Sequence, residues 1–293
     1  MAMDPQHPFH PDEKEARLKL GAHRQVVYRI LRSGERRPLL VMLHGMGSNM
    51  TRWSEFVAHT RLKQSHDLLR LDLRGHGLSV CRCEVTMERW AWDLKQILDE
   101  KGYERAIIAG HSMGALLALH FARLYPAQTA SLVLVEPSFA EAMSRARRWL
   151  RPVFRSVAGL IRVVNAVGLH RRHYRYRSLW QWDEEARAMI RAGQRDKVIA
   201  RYASPWVDLP YNPLSVYFQD AAEILRPAPV SSDISQPVLT LLSAGGEPAH
   251  QQITRDLLGQ MPQCQIREID ASHWLMTEAP DAVREAIEDF CQS

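Results

Sequence analysis

No stretch of the 293 residues approaches the ~18 consecutive apolar positions that a membrane-spanning helix requires. The opening residues (MAMDPQHPFHPDEKEAR) lack the apolar core of a secretory signal, so a cytoplasmic location is expected. Cysteine is scarce, with residues only at 81, 83, 264 and 291. That is too few for a disulfide scaffold, and Cys81-x-Cys83 has no second pair to complete a zinc site, so reduced thiols are expected. No H-E-x-x-H occurs among the thirteen histidines, and His170 and His173 stand among arginines that would repel a cation. None of the six lysines follows a glycine, which excludes a Walker A loop. Gly75-His-Gly77-Leu-Ser-Val80 starts like a dinucleotide fingerprint but lacks the third glycine. Neither a metal nor a cofactor is expected.

What is present suits a globular chain. Apolar residues make up 46% and charged residues 24%, and this length buries a sizeable core without staples. The formal net charge of +5 is unevenly spread. Residues 142–182 hold ten arginines and no Asp, Glu or Lys, which leaves 5 − 10 = −5 for the remainder. The basicity is local, and a nucleic-acid partner is not expected.

Short, nearly continuous apolar runs recur along the chain. Arg24–Leu31 has β-branched and aromatic content, and Leu39–Leu43, Leu68–Leu73, Ala106–Ala109, Ser131–Val135, Val238–Leu242 and Gln265–Ile269 follow. Such runs suit strands covered on both faces, as in a parallel sheet. Helical patterns fall between them: Trp53–Thr60, Met87–Glu100 with Thr86 as N-cap, Met113–Leu124, Ile253–Leu258 and Ala282–Phe290. Residues 1–15 read as a loose leader. The alternation predicts an α/β fold with a doubly wound, mostly parallel sheet. It stops near Phe139 and resumes near Gln236, so the expected organisation is a core of 1–138 and 236–293 with a helical cap, or lid, of 139–235.

Gly110-His-Ser112-Met-Gly114 fits G-x-S-x-G, placed directly after an apolar strand and directly before a helix. That setting identifies a nucleophile elbow with Ser112 at its tip. A serine hydroxyl needs a base to take its proton, and His273 lies just past the last strand, in a loop at the carboxyl edge. His120 falls inside the elbow helix and reads as structural. A carboxylate must orient the histidine; Glu247, after the strand Val238–Leu242, gives the order Ser…Glu…His, and Glu136, ending Ser131–Val135, is the alternative acid. Two backbone donors must face the oxyanion. Met113 N–H is one, and Met46 N–H in Leu43-His44-Gly45-Met46-Gly47 is the other, with Gly45 allowing close approach.

LHGMG, DLRGHGLS, GHSMG and ASHWLMTEAP together resemble the capped α/β-hydrolase superfamily of serine hydrolases over roughly residues 25–290. The resemblance implies an eight-stranded sheet, a helical cap after the sixth strand, a Ser/His/acid triad and oxyanion donors at Met46 and Met113. One departure is Ala244-Gly-Gly-Glu247-Pro, where that family usually shows Gly-x-x-Asp. The expected activity is hydrolysis of a carboxylic ester of a small acyl compound, apolar or anionic, through an acyl-enzyme. The same residues are compatible with a carbon–carbon bond, lactone or thioester substrate, and similar folds serve as small-molecule receptors. The arginine-rich segment has three readings: a solvated face, anion recognition, or a basic surface for peripheral membrane contact.

Overall fold

The structure, a computed structural model, describes residues 3–21, 24–32, 34–230, 232–271 and 274–292. Its strands are β1 (Glu13–Lys19), β2 (Gln25–Leu31), β3 (Leu39–Leu43), β4 (Asp67–Leu71), β5 (Ala106–His111), β6 (Thr129–Val135), β7 (Val238–Ser243) and β8 (Cys264–Ile269). They form one sheet in the order β1-β2-β4-β3-β5-β6-β7-β8. From β4 through β8 all pairings are parallel, while β1–β2 and β2–β4 are antiparallel. The central strands β3, β4 and β7 are buried along their whole length, which explains why their sequences do not alternate. One apolar core lies on each face, the first around Trp90, Leu117 and Phe121, the second around Trp53, Phe56 and Ile287.

The helices are α1 (Ser54–His59), α2 (Met87–Lys101), α3 (Met113–Leu124), α4 (Arg145–Trp149), α5 (Arg151–Ala166), α6 (Leu179–Arg191), α7 (Arg195–Ala203), α8 (Leu214–Ile224), α9 (Pro248–Leu258), α10 (Leu275–Glu278) and α11 (Pro280–Gln292). In α2 the expected cap is present, with Thr86 accepting from Arg89 N–H and Gly102 closing the other end at φ +71°. Trp90, Leu94, Ile97 and Leu98 form its buried stripe. Helix α3 is buried almost all round because it packs on β3, β5 and β6. Five helices, α4 to α8, and no strand lie between β6 and β7 among the described residues.

Two expectations require correction. The segment 1–15, described from residue 3 on, is no loose leader: β1 begins at Glu13 and forms the edge strand, and the carbonyl of Pro8 accepts from Arg70 Nη2 (2.9 Å) and Ser54 Oγ (2.6 Å). The guanidinium of Arg70 is fully buried against the Glu13 carboxylate, so the leader supplies its counter-charge. The charged sequence EKEARLK conceals a strand because an edge strand is largely solvated. Cys81 and Cys83 are joined in a disulfide, whereas reduced thiols were expected.

The chain leaves β3 toward β4 on one side and returns to β5 on the other. The order therefore reverses between β3 and β5, and a crevice opens at their carboxyl ends.

Buried imidazoles give this fold an acid limb. Burial drives His44 well below the usual imidazole range, His111 to about 3 and His120 to about 4. These groups stay neutral in the folded chain but take up protons once unfolded, so their contribution is complete above pH ~6.5 and is lost as the pH falls. His76 acts oppositely: burial opposes its charge, but the Asp220 carboxylate outweighs burial and raises it. Its contribution is complete at ~6.5 and below, and cannot offset the loss. The Asp72 carboxyl, pushed up by burial to about 6, takes up its proton in the folded chain first and works the other way over the same range. Denaturant titrations of the two proteins side by side should therefore show His120→Gln losing less stability than the wild type between pH 6.5 and 4.

Candidate active site

Ser112 stands at the turn between β5 and α3 with φ +55° and ψ −115°, a region that L residues rarely occupy. Its amide donates to Val135 O (2.9 Å), fixing it against the end of β6. The flanking glycines are required by contact. A Cβ on Gly110 would lie 2.1 Å from Gly114 O, and one on Gly114 would lie 2.6 Å from Leu43 O and 2.7 Å from His44 O. Only hydrogen fits at either place, so the G-x-S-x-G spacing reports a packing condition. The absence of a Cβ at Gly114 also lets the start of α3 lie on the end of β3.

That contact brings the two expected oxyanion donors into one region. Met113 is the first residue of α3, and the hydrogen bonds of that turn start with Ala115 N–H donating to Ser112 O (3.0 Å). Gly45 packs against Ser112, since a Cβ there would lie 3.2 Å from both His111 O and Ser112 Cβ. Met46 follows it and lines the same cavity. His44 holds this loop from within. Its Nε2 accepts from Leu73 N–H (3.0 Å), which assigns the proton to Nδ1, and Nδ1 donates to Gly45 O (2.8 Å). The ring is fully buried and neutral, and the edge of His76 meets it at 5.1 Å between centroids. His76 Nε2 in turn pairs with Asp220 Oδ2 of α8 (2.8 Å).

The two expected carboxylates occupy different surroundings. Glu136 follows β6 at φ +49°, its amide donating to Leu241 O (3.0 Å) and its Oε1 accepting from Ser243 N–H (2.5 Å). His111 and Val135 are register partners, so Ser112 and Glu136 are the next residues on adjacent strand ends. Glu247 precedes α9 with a side chain 70% exposed, and its Oε2 meets His250 Nδ1 at 3.1 Å. Both line the cavity. His273 lies outside the described residues; Trp274, next in the chain, lines the cavity.

The cavity encloses about 590 Å³ between the strand ends and the inserted helices. Several of its residues carry no motif and were not singled out from sequence. Ser138 Oγ lies 2.9 Å from Ser112 Oγ. Arg52 Nη1 reaches both oxygens of Asp183 in α6 at 2.6 and 2.7 Å, and that carboxylate also accepts from Tyr202 and Thr277. The Arg177 guanidinium stacks on Trp182 (3.9 Å) and Tyr211 (4.4 Å), and its Nη2 donates to Asp208 and to Gly47 O. Of the ten arginines in segment 142–182, Arg147 and Arg177 thus reach the cavity wall.

The strain at Ser112 is measurable. Glycine adopts such a φ without penalty, whereas alanine retains the Cβ. Ser112→Gly should exceed Ser112→Ala in unfolding free energy by about 1 kcal/mol or more, as read from urea midpoints. Equal midpoints would show that the turn is relaxed.

The alpha/beta hydrolase family profile matches residues 40–286. A putative esterase/lipase of Haemophilus influenzae is 25% identical over 262 residues, covering 86% of this chain and 83% of that protein. An sn-1-specific diacylglycerol lipase of Mus musculus is 23% identical over 271 residues, covering 90% and 84%. Local similarity reaches 34% over 109 residues in uncharacterised proteins of Mycobacterium tuberculosis and Mycobacterium bovis, but that match spans only 30% of their length. Among solved structures, a thermophilic esterase from Thermogutta terrifontis superposes with a TM-score of 0.68 at 23% identity, covering 95% of this chain and 98% of that one. An enol-lactonase from Burkholderia xenovorans gives 0.66 at 22% identity, covering 92% and 97%. The eight-stranded sheet, its order and the family match agree: this chain belongs to the alpha/beta hydrolase family.

Proposed function

We propose that the protein is a serine esterase, hydrolysing a carboxylic ester through an acyl-enzyme on Ser112. The observation that carries this reading is the strained Ser112 turn at the switch point, facing a cavity of about 590 Å³ beneath the inserted helices. The similarity to a putative esterase/lipase over most of both chains supports it. In this reading residues 139–235 form a cap over the carboxyl edge of the sheet.

Ser112 Oγ attacks the ester carbonyl carbon while His273 accepts its proton. Negative charge develops on the carbonyl oxygen and is met by the amides of Met113 and Met46. His273 then returns the proton to the departing alkoxide, leaving the acyl group on Ser112. Water, deprotonated by the same imidazole, attacks the acyl carbon, and collapse of the second tetrahedral intermediate releases the acid and restores the hydroxyl. Ser138 holds the Ser112 hydroxyl toward β6 until substrate arrives.

For the carboxylate that orients His273, the surroundings favour Glu136 over Glu247. Glu136 is anchored by a backbone N–H of β7 and stands on the strand adjoining the nucleophile; Glu247 is largely in solvent and engaged with His250. The cavity wall joins Met46, Phe139, Leu242 and Met276 to the guanidinium groups of Arg52 and Arg177, which suits an acyl group that is apolar or carries an anionic end.

Three measurements test the assignment. Purified protein should turn over short p-nitrophenyl esters, and Ser112→Ala should abolish that turnover; no difference between the two would remove the esterase reading. Glu136→Gln should lower kcat by roughly 10³-fold or more, with Glu247→Gln remaining within about threefold. The reverse order would assign the acid to Glu247. Tight binding of small acyl compounds without turnover by the wild-type chain would instead indicate a receptor.

A further inference from the structure

The loop that carries the proposed donor Met46 is held at two points. The carbonyl of the trans Gly45–Met46 peptide accepts from His44 Nδ1 (2.8 Å), so the N–H of that peptide points away from the buried ring. One residue on, Gly47 turns the chain at φ +63°. Its carbonyl accepts from Arg177 Nη2 (3.1 Å), and the Asp208 carboxylate packs so closely that a Cβ on Gly47 would lie 2.6 Å from Oδ2. The first hold comes from the loop itself, the second entirely from the insertion. Arg177 lies in the irregular stretch between α5 and α6, and Asp208 in the turns between α7 and α8.

Arg177 is itself fixed on several sides. Its Nη2 also donates to Asp208 Oδ1 (2.6 Å), and the guanidinium lies over the rings of Trp182 (3.9 Å to the centroid) and Tyr211 (4.4 Å). Its main-chain carbonyl accepts from Asn49 Nδ2 (3.0 Å), and two residues on Leu179 N–H donates to Thr51 Oγ1 (2.9 Å). The insertion thus grips residues 47–51 by side chain and by backbone. Burial works against both charges of the pair, lowering Arg177 and raising Asp208, so their bonds lie where water competes poorly for them.

We propose that Arg177 is a positioning residue that sets the Met46 amide from the insertion, so that the second oxyanion donor is complete only with the inserted helices in place. The inference rests on the esterase reading, in which that amide meets the carbonyl oxygen as it becomes charged. Such a donor contributes through being oriented before the reaction starts, and a displacement of about 1 Å costs on the order of a hundredfold in rate. His44 fixes the peptide from one side; without Arg177 the next turn of the loop, at Gly47, has no bond to the insertion's guanidinium and the donor can swing. Arginine suits the task because one planar group holds a carbonyl and a carboxylate together while stacking on aromatic rings, which an ammonium cannot do. The rival role is direct contact with substrate, since Arg177 lines the cavity and its Nη1 is buried without a hydrogen-bond partner among the described residues. The two roles act on different kinetic constants.

The full chain is assayed well below its melting temperature on two p-nitrophenyl esters, one neutral and one bearing a carboxylate. Arg177→Gln should lower kcat for both by roughly 10- to 100-fold, with KM changed by less than about threefold. Arg177→Lys should recover part of the loss. Asp208→Asn, which keeps the guanidinium but removes the carboxylate that aims it, should act in the same direction, add little in the Arg177→Gln background, and serve in place of that variant if it does not fold. An alkylboronic acid gives an independent measurement: boron takes up the Ser112 oxygen, the hydroxyl proton passes to His273, and the tetrahedral adduct carries negative charge. Its inhibition constant should rise in Arg177→Gln in step with the fall in kcat/KM, while the matching amide, which binds without adding, keeps its affinity. A wild type that hydrolyses neither ester would remove the esterase reading and this inference with it. Beside an active wild type, full kcat in Arg177→Gln would overturn the inference alone. A rise in KM confined to the acidic ester would overturn it in favour of direct substrate contact, and a fall in kcat with boronic acid affinity unchanged would reduce Arg177 to a structural role.

Discussion

The architecture of the site depends on one local constraint: a residue with a side chain held at a backbone conformation that side chains avoid. Ser112 keeps φ +55° because strands on both sides and the start of α3 leave its peptide no other course. The strain costs on the order of 1–3 kcal/mol, a sizeable share of the stability of an ordinary domain. The surrounding glycines are the geometric answer, letting β3, β5 and α3 approach closely enough to hold the turn. The same approach sets Gly45 against the serine and brings its loop to the first turn of the helix. The proposed nucleophile and its proposed amide donors are thus placed by a single packing event.

The inserted helices are attached to this centre by buried charge. Arg52 with Asp183 ties α6 to the loop after β3, and His76 with Asp220 ties α8 to the turn after β4. Buried pairs of this kind add little net stability over apolar contacts of similar size, but breaking one leaves an uncompensated ion and costs far more. They therefore fix position more than they strengthen the fold. His76 also touches His44, so one buried polar chain links α8 to the loop that carries Met46.

Much of this was legible in the sequence. The nearly continuous apolar runs marked β3 to β7 because strands covered on both faces need no polar alternation. The elbow was legible because its glycines answer to backbone contacts, which leave a fixed spacing in any chain that folds this way. What stayed hidden has a common cause, dependence on partners remote in sequence. EKEARLK gives no strand signal until Arg70 supplies the reason for burying Glu13. Arg52, Arg177 and Ser138 lie in no motif, and their places follow from the path of the insertion. The relative standing of Glu136 and Glu247 is likewise a question of surroundings: both follow strands at the same edge, and only the packing around them separates an anchored carboxylate from a solvated one.

The insertion is built in two storeys. Helices α6 and α8 bond directly to the loops of the sheet, whereas α5 rests on α8 and turns its other side outward. Mutational drift on that upper storey meets few steric vetoes from below. Substitutions on that outward side therefore leave the buried pairs that hold α6 and α8 in place untouched.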